Sequence, residues 1–201
     1  MMDDRKPTQL TPRFAEAMAE AFRLHRIQKR KGSEVPYMTH LLGTAAAVLH
    51  FGGDEDQAIA GLLHDAAEDQ GGRPTLEAIR KEFGDRVAAI VEGCTDTFEE
   101  PKPPWRPRKE AYVARLAREE EYVLLVSAAD KLDNARAIVA DLRQDGSEVW
   151  SRFRGGTDSL WYYRALVDAY RKTGRVGAIL GELDAVVSEM ERLARTAGDG
   201  G

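Results

Sequence analysis

Six small or apolar residues, Ala58-Ile59-Ala60-Gly61-Leu62-Leu63, run straight into His64-Asp65, with Glu68 and Asp69 close behind. The apolar run predicts a buried turn of helix, and burying ionised groups is costly unless they are paired or bind a cation. On a helix Glu68 lies four residues after His64, and Asp69 four after Asp65, so both pairs are neighbours on one surface. One patch about one and a half turns tall then carries an imidazole beside Asp65, Glu68 and Asp69. Such crowding of acids calls for a positive charge, and a metal ion supplies it. A plain polar helix surface would explain a lone His-Asp pair better than this cluster behind an apolar run.

Asp130 repeats the pattern, an acid at the end of Val123-Leu124-Leu125-Val126-Ser127-Ala128-Ala129. Asn134 follows one turn later on the same side, where it can position a ligand. Of the four histidines, His40 is the best third ligand, at the first turn of a helix just after Pro36-Tyr37-Met38-Thr39. His50 is ten residues from His40, roughly 80° around the helix and about 15 Å along it, so the two cannot share an ion. It suits a cationic helix end instead. His25, beside a basic stretch, is uncommitted.

The expected ligand set is therefore His40, His64, Asp65 and Asp130. Two imidazoles and two carboxylates are compatible with Mn, Fe, Zn or Ni, and ligand type alone does not choose. A metal with open positions makes a nucleophile from water near neutral pH. Glu68 and Asp69 are then spare acids, placed to orient that water or carry its proton.

The rest of the chain reads as helix. Thr11-Pro12 predicts an N-cap and first turn, with Phe14, Met18 and Phe22 along one face up to about Arg26. Thr39 is the expected cap of a second helix ending at Phe51-Gly52-Gly53. Asp54 caps a third, from Glu55 to about Gln70, closed by Gly71-Gly72. Thr75 opens a short helix to Phe83 with Gly84 as its stop, and Asp85 starts another through Val87, Ile90 and Val91. Pro101 to Pro107 holds four of the eight prolines and predicts an irregular loop. Lys109 to about Ala117 is helical, and Tyr122 to Leu142 forms one deeply buried helix despite the strand propensity of its start. Helices over Thr157–Lys172 and Val176–Ala194 follow, then a fraying glycine-rich tail. No strand alternation or βαβ rhythm appears, so the expected class is all-α: a single helical domain over 1–201.

Composition narrows the function. A chain of 201 residues with 43% hydrophobic residues buries a core without disulfides, and the lone Cys94 cannot form an internal one. That predicts a cytoplasmic setting. No apolar run reaches the roughly 18–20 residues a membrane span needs, and no apolar signal core follows Met1-Met2-Asp3-Asp4. A net charge of −5 offers no general attraction for nucleic acid. Two local basic stretches, Arg26 to Lys31 and Lys102 to Lys109, suit a small polyanion better than a duplex, or else are solvated loops. No Gly-x-x-x-x-Gly-Lys loop is present, which sets aside P-loop chemistry. Trp150, Phe153, Trp161, Tyr162 and Tyr163 form an aromatic region read mostly as a packing seam, with purine stacking by Trp161 as the alternative.

The order His40, His64-Asp65, Asp130 resembles the signature of HD-domain phosphohydrolases. Arg30-Lys31 with Pro36-Tyr37-Met38-Thr39-His40, then Leu63-His64-Asp65 with Glu68-Asp69, resembles the hydrolase half of the RelA/SpoT homologue family. Thr75 to Val87, Val91-Glu92-Gly93-Cys94-Thr95 and Ala129-Asp130-Lys131-Leu132-Asp133-Asn134-Ala135-Arg136 extend the likeness over roughly residues 12 to 172. With no synthetase-like segment after it, the chain resembles a stand-alone small alarmone hydrolase. The resemblance implies an HD-type helical bundle and Mn²⁺-dependent release of pyrophosphate from the 3′ position of a guanosine or adenosine bis-polyphosphate. It implies that His40, His64, Asp65 and Asp130 hold the metal and that Glu68 and Asp69 handle water and proton. It also implies that Arg30, Lys31, Lys131 and Asn134 meet the nucleotide.

Four departures from the family pattern stand out: Leu41 after the first histidine, Thr39 before it, Asp133 where His or Tyr is usual, and Ala137 without a hydroxyl. None is expected to touch a metal ligand, though Asp133 adds an acid on the substrate side. Competing readings are another HD-type nucleotide phosphatase, acting on NADPH or a deoxynucleotide monophosphate, and an inactive nucleotide-binding sensor. Intact Glu68 and Asp69 argue against the sensor, which has no need of a proton-transfer pair.

Overall fold

A 25-residue helix, α8 (Glu121–Asp145), runs through the middle of the molecule because its sequence is apolar almost all round at one end. The computed structural model describes residues 8–198, so the glycine-rich tail lies largely outside it. Ahead of α8 come α1 (Pro12–His25), α2 (Met38–His50), α3 (Glu55–Leu63), α4 (Ala66–Asp69), α5 (Gly72–Phe83), α6 (Asp85–Cys94) and α7 (Trp105–Arg115). Short 3₁₀ turns over Leu116–Arg118 and Gly146–Arg152 flank it, and α9 (Asp158–Thr173) and α10 (Ile179–Gly198) close the chain. Among the described residues there is no strand, only a single bridge between Lys29 and Pro36. The protein is all-α, as its periodicity predicts.

α8 packs against α2, α3, α6 and α10. Leu124, Val126, Ala128, Ala129 and Leu132 are fully buried along it. A buried hydroxyl chain, Tyr112 to Ser127 to Tyr170 at 2.7 and 2.6 Å, ties α7 and α9 to its first half. α2 and α3 approach so closely that a Cβ on Gly61 would stand 3.2 Å from the Ala45 Cα. Glycine there sets the spacing between the helices that carry His40 and His64.

Several local expectations shift. Thr11 caps α1 through the Arg13 amide, but the buried face is Ala17, Ala21 and His25; Phe14 is half-buried, and Met18 and Phe22 are exposed. Small residues win that face because α1 lies against α3. Thr39 does not cap α2, which starts one residue earlier; its hydroxyl donates to the Pro36 carbonyl. Asp54 does cap α3 in a reciprocal capping box with Gln57. That helix stops at Leu63 rather than Gln70: Asp65 sits at ψ −4°, turning the chain before α4.

α5 begins at Gly72, ahead of Thr75, whose hydroxyl donates to the Gln70 carbonyl. α7 begins at Trp105, inside the predicted proline loop, since Pro107 lacks an amide where a first turn has no acceptor for one. The last helix starts at Ile179, three residues later than predicted.

Candidate active site

The break after α3 places His64 and Asp65 at the inner end of the helix pair, facing His40 from α2 and Asp130 from α8. His40 Nε2 lies 3.2 Å from His64 Nε2, 3.5 Å from Asp65 Oδ2 and 3.3 Å from Asp130 Oδ1. His64 Nε2 lies 3.0 Å from Asp65 Oδ2 and 3.6 Å from Asp130 Oδ1. Both imidazoles are buried, at 1% exposure each. His40, His64 and Asp65 form a group whose ligand atoms are close enough to share one ion, and Asp130 reaches the two imidazole nitrogens of that group.

The other ring nitrogens show what the centre needs. His64 Nδ1 is 2.9 Å from the Gly61 carbonyl, which only accepts, so His64 carries its proton on Nδ1. His40 Nδ1 is 2.7 Å from Asp133 Oδ2 and carries its proton in the same way. The two Nε2 atoms are therefore left free to ligate beside Asp65 Oδ2, and Asp130 Oδ1 lies 3.3 and 3.6 Å from them. That donor set fits a divalent cation. The same carboxylates favour protonated imidazoles. Burial lowers the His40 pKa, but bonds to Asp130, Asp133 and Asp65 outweigh it and raise the pKa to about 9. His64 is likewise raised well above the usual imidazole range: burial opposes its charge, and Asp65 and Asp130 outweigh that burial.

Three further side chains donate to these two carboxylates. Tyr37, from the turn before α2, donates its hydroxyl to Asp65 Oδ2 at 2.6 Å. Lys131 Nζ lies 2.5 Å from Asp130 Oδ2, and Asn134 Nδ2 donates to Asp130 Oδ1 at 2.5 Å. Lys131 and Asn134 thus hold Asp130 as well as lining the neighbouring cavity.

Glu68 and Asp69, on α4, sit one layer out. Glu68 Oε2 accepts from the Asp96 amide at 2.9 Å and Oε1 from Lys102 at 2.8 Å. Asp69 Oδ2 accepts from Gln28 at 2.8 Å. Partial burial, followed by the Asp65 charge, raises the Asp69 pKa.

Beside the centre opens a cavity of about 420 Å³ whose cations are Lys31, Lys102, Arg108, Lys109, Lys131 and Arg154. Glu68 is the acid in its wall. A second cavity of about 510 Å³, bordered by Arg30, Tyr37, Asp133 and Ala137, shares Lys31, Asn134 and Phe153 with the first. The bridge at Lys29–Pro36 holds the Arg30-Lys31 segment there as a tight turn. Arg30 donates to Asp133 at 3.4 Å and to Asn134 at 3.1 Å. Lys31 lies over the Phe153 ring at 5.8 Å.

The structure brings together all ten residues singled out in the sequence. It adds Tyr37 and the basic segment from Lys102 to Lys109: Lys102 reaches Glu68, while Arg108 and Lys109 reach Asp96. The density of basic residues in that segment was the available signal. Trp161 does not line either cavity, and its ring carries the Arg106 guanidinium at 3.4 Å. One departure does touch an expected ligand: Asp133 contacts His40, contrary to expectation, because α2 and α8 pack side by side there.

The profile of the HD domain family matches residues 17–160. This chain belongs to the HD domain family. The guanosine-3′,5′-bis(diphosphate) 3′-pyrophosphohydrolase MESH1 of Xenopus tropicalis is 39% identical over 142 residues, 69% of this chain and 74% of that protein. A guanosine-3′,5′-bis(diphosphate) 3′-pyrophosphohydrolase of Aquifex aeolicus is 34% identical over 131 residues, 63% of this chain but 18% of that longer protein. Among solved structures, one described as a metazoan ortholog of SpoT that hydrolyzes ppGpp has a TM-score of 0.73 at 26% identity. The match covers 90% of this chain and 97% of that one. A Listeria monocytogenes structure has a TM-score of 0.67 at 29% identity, covering 76% and 99%. The HD-type helical fold is shared throughout. Among the described residues no helix is long and apolar enough to cross a membrane.

Proposed function

We propose that this chain is a metal-dependent hydrolase of guanosine 3′,5′-bis(diphosphate), releasing pyrophosphate from the 3′ position. The observation that carries the reading is the cluster of His40, His64 and Asp65, with Asp130 beside both imidazoles, next to a cavity walled by six cations and lined by Glu68, Lys131 and Asn134. Relatives named for that reaction support the substrate, at up to 39% identity among those compared.

His40 Nε2, His64 Nε2, Asp65 Oδ2 and Asp130 Oδ1 would hold the ion, which we assign as Mn²⁺. When bound, it supplies Lewis acidity toward water and phosphoryl oxygen. The chain's own residues do the rest. Glu68, fixed by the Asp96 amide, accepts a proton from the attacking water. Asp69, its pKa raised, passes that proton on or returns one to the leaving group. Lys31, Lys102, Arg108 and Lys109 balance the diphosphate charge and its growth in the transition state. Arg30 and Asn134, linked to each other, face the nucleoside side. The substrate is a small nucleotide and the setting cytoplasmic.

Purified protein with Mn²⁺ is offered ppGpp, ppApp, NADPH and a deoxynucleotide monophosphate in separate assays. The expected result is pyrophosphate from ppGpp or ppApp, lost with EDTA and in Asp65→Ala. Orthophosphate from NADPH or the monophosphate alone would keep the centre and refute the substrate. Bound metal with no turnover would refute the enzyme reading.

A further inference from the structure

We infer that Asp133 is a positioning residue of the metal centre, holding His40 so that its Nε2 faces the cluster. The inference rests on reading that cluster as a metal site.

A neutral imidazole ligates only through the nitrogen without a proton, so whatever the other nitrogen meets decides whether the ring can bind. For His64 that partner is main chain, the Gly61 carbonyl at 2.9 Å. For His40 it is a side chain: Asp133 Oδ2 stands 2.7 Å from Nδ1, three residues along α8 from Asp130. The two histidines are therefore fixed by different means, and only the His40 anchor can be removed by substitution.

The neighbouring helix is shaped for this contact. Gly43 lies just under one turn beyond His40 on α2, and a Cβ there would fall 2.2 Å from Asp133 Oδ1. No real side chain tolerates that distance. Glycine leaves a notch in α2 through which the α8 carboxylate reaches the imidazole. On the open side Arg30 approaches the same oxygen at 3.4 Å, a longer contact than the one to His40. Arg30 thus braces the carboxylate rather than claiming it. A carboxylate bound to the far nitrogen of a ligating histidine orients the ring and increases its basicity.

The competing account gives Asp133 to Arg30 alone, as a substrate-side ion pair. Metal affinity separates the two. Mn²⁺ is titrated into full-length, metal-free protein, and free Mn²⁺ is read by electron paramagnetic resonance, alongside KM, kcat and the metal-free thermal midpoint. The variants are Asp133→Ala, Asp133→Asn, Gly43→Ala and Arg30→Ala.

Asp133→Ala should weaken Mn²⁺ binding about 10–100-fold. Asp133→Asn, which keeps an acceptor oxygen in place, should recover part of that loss and guards against a folding defect. Gly43→Ala should weaken Mn²⁺ in the same direction by displacing the carboxylate. Arg30→Ala should raise KM and weaken Mn²⁺ binding far less than Asp133→Ala does. Wild-type Mn²⁺ affinity in folded Asp133→Ala, with KM alone raised, would overturn the inference and leave the metal site standing. A wild-type protein that binds no divalent ion would overturn the metal reading itself.

Discussion

Lys109 makes the pocket's charge depend on pH near neutrality. Burial, with Lys131 and Arg108 beside it, pushes its pKa down to about 7. Its carboxylate contact, Asp96 at 2.7 Å, is shared with Arg108, so little net negative charge is left to hold the proton. The free enzyme therefore carries this cation below about pH 7 and loses it above.

A bound polyphosphate draws the proton back, and each pH unit above the free pKa then costs about 1.4 kcal/mol, a factor of about ten in affinity. KM should rise up to about tenfold per unit above pH 7, until the pKa of the bound form is reached. Lys109→Arg keeps the charge at every pH and should lack this rise. Lys109→Met should show a high KM without the Lys109 limb. The assay is pyrophosphate release at saturating Mn²⁺ from pH 6 to 9, with wild-type KM divided by that of the Arg variant at each pH. Ionisation of the substrate and the metal centre cancels in that ratio. A ratio constant across the range would refute the reasoning.

Asp65→Ala should lose Mn²⁺ and turnover together, whereas Glu68→Gln should keep Mn²⁺ and lose about 10²–10⁴ in kcat, as metal titration beside steady-state kinetics will show. Mn²⁺ competes with protons at a His40 whose pKa is raised to about 9, so Mn²⁺ affinity should fall steadily as pH drops below that value in isothermal titration. Leu124→Ala, at a fully buried position on α8, should cost about 2–5 kcal/mol and lower the thermal midpoint by about 4–20 °C, read by circular dichroism.

The cluster proposed to hold the metal was legible because buried acids behind apolar runs are rare and face few explanations. His64-Asp65 and Asp130 stood out by that contrast alone, and the capping signal at Asp54 located the start of α3 to the residue. What stayed hidden depended on tertiary approach. Met18 and Phe22 looked like a core stripe, but α1 meets α3 through Ala17 and Ala21, where small side chains allow the closer contact. The turn at Asp65 breaks no propensity rule; helical periodicity continues through it.

Asp133 read as an acid near the substrate because nothing in a single sequence says that Gly43, 90 positions away, leaves room for it. Lys102, Arg108 and Lys109 were visible as charge, but the partners that give them a place, Glu68 and Asp96, belong to other segments.

Those ion pairs make the resting cavity a loaded ion exchanger. Lys102 is occupied by Glu68, Arg108 and Lys109 by Asp96, and Lys131 by Asp130. On the proposed reaction, an arriving polyphosphate displaces resident carboxylates, so its affinity is a difference between two sets of contacts. The displaced carboxylates stay tethered nearby, at high effective concentration. Once the bond between the ribose 3′ oxygen and the diphosphate is cut, they compete equally well against the pyrophosphate left behind. Some ground-state tightness is given up, and product release is eased by groups that never leave the site.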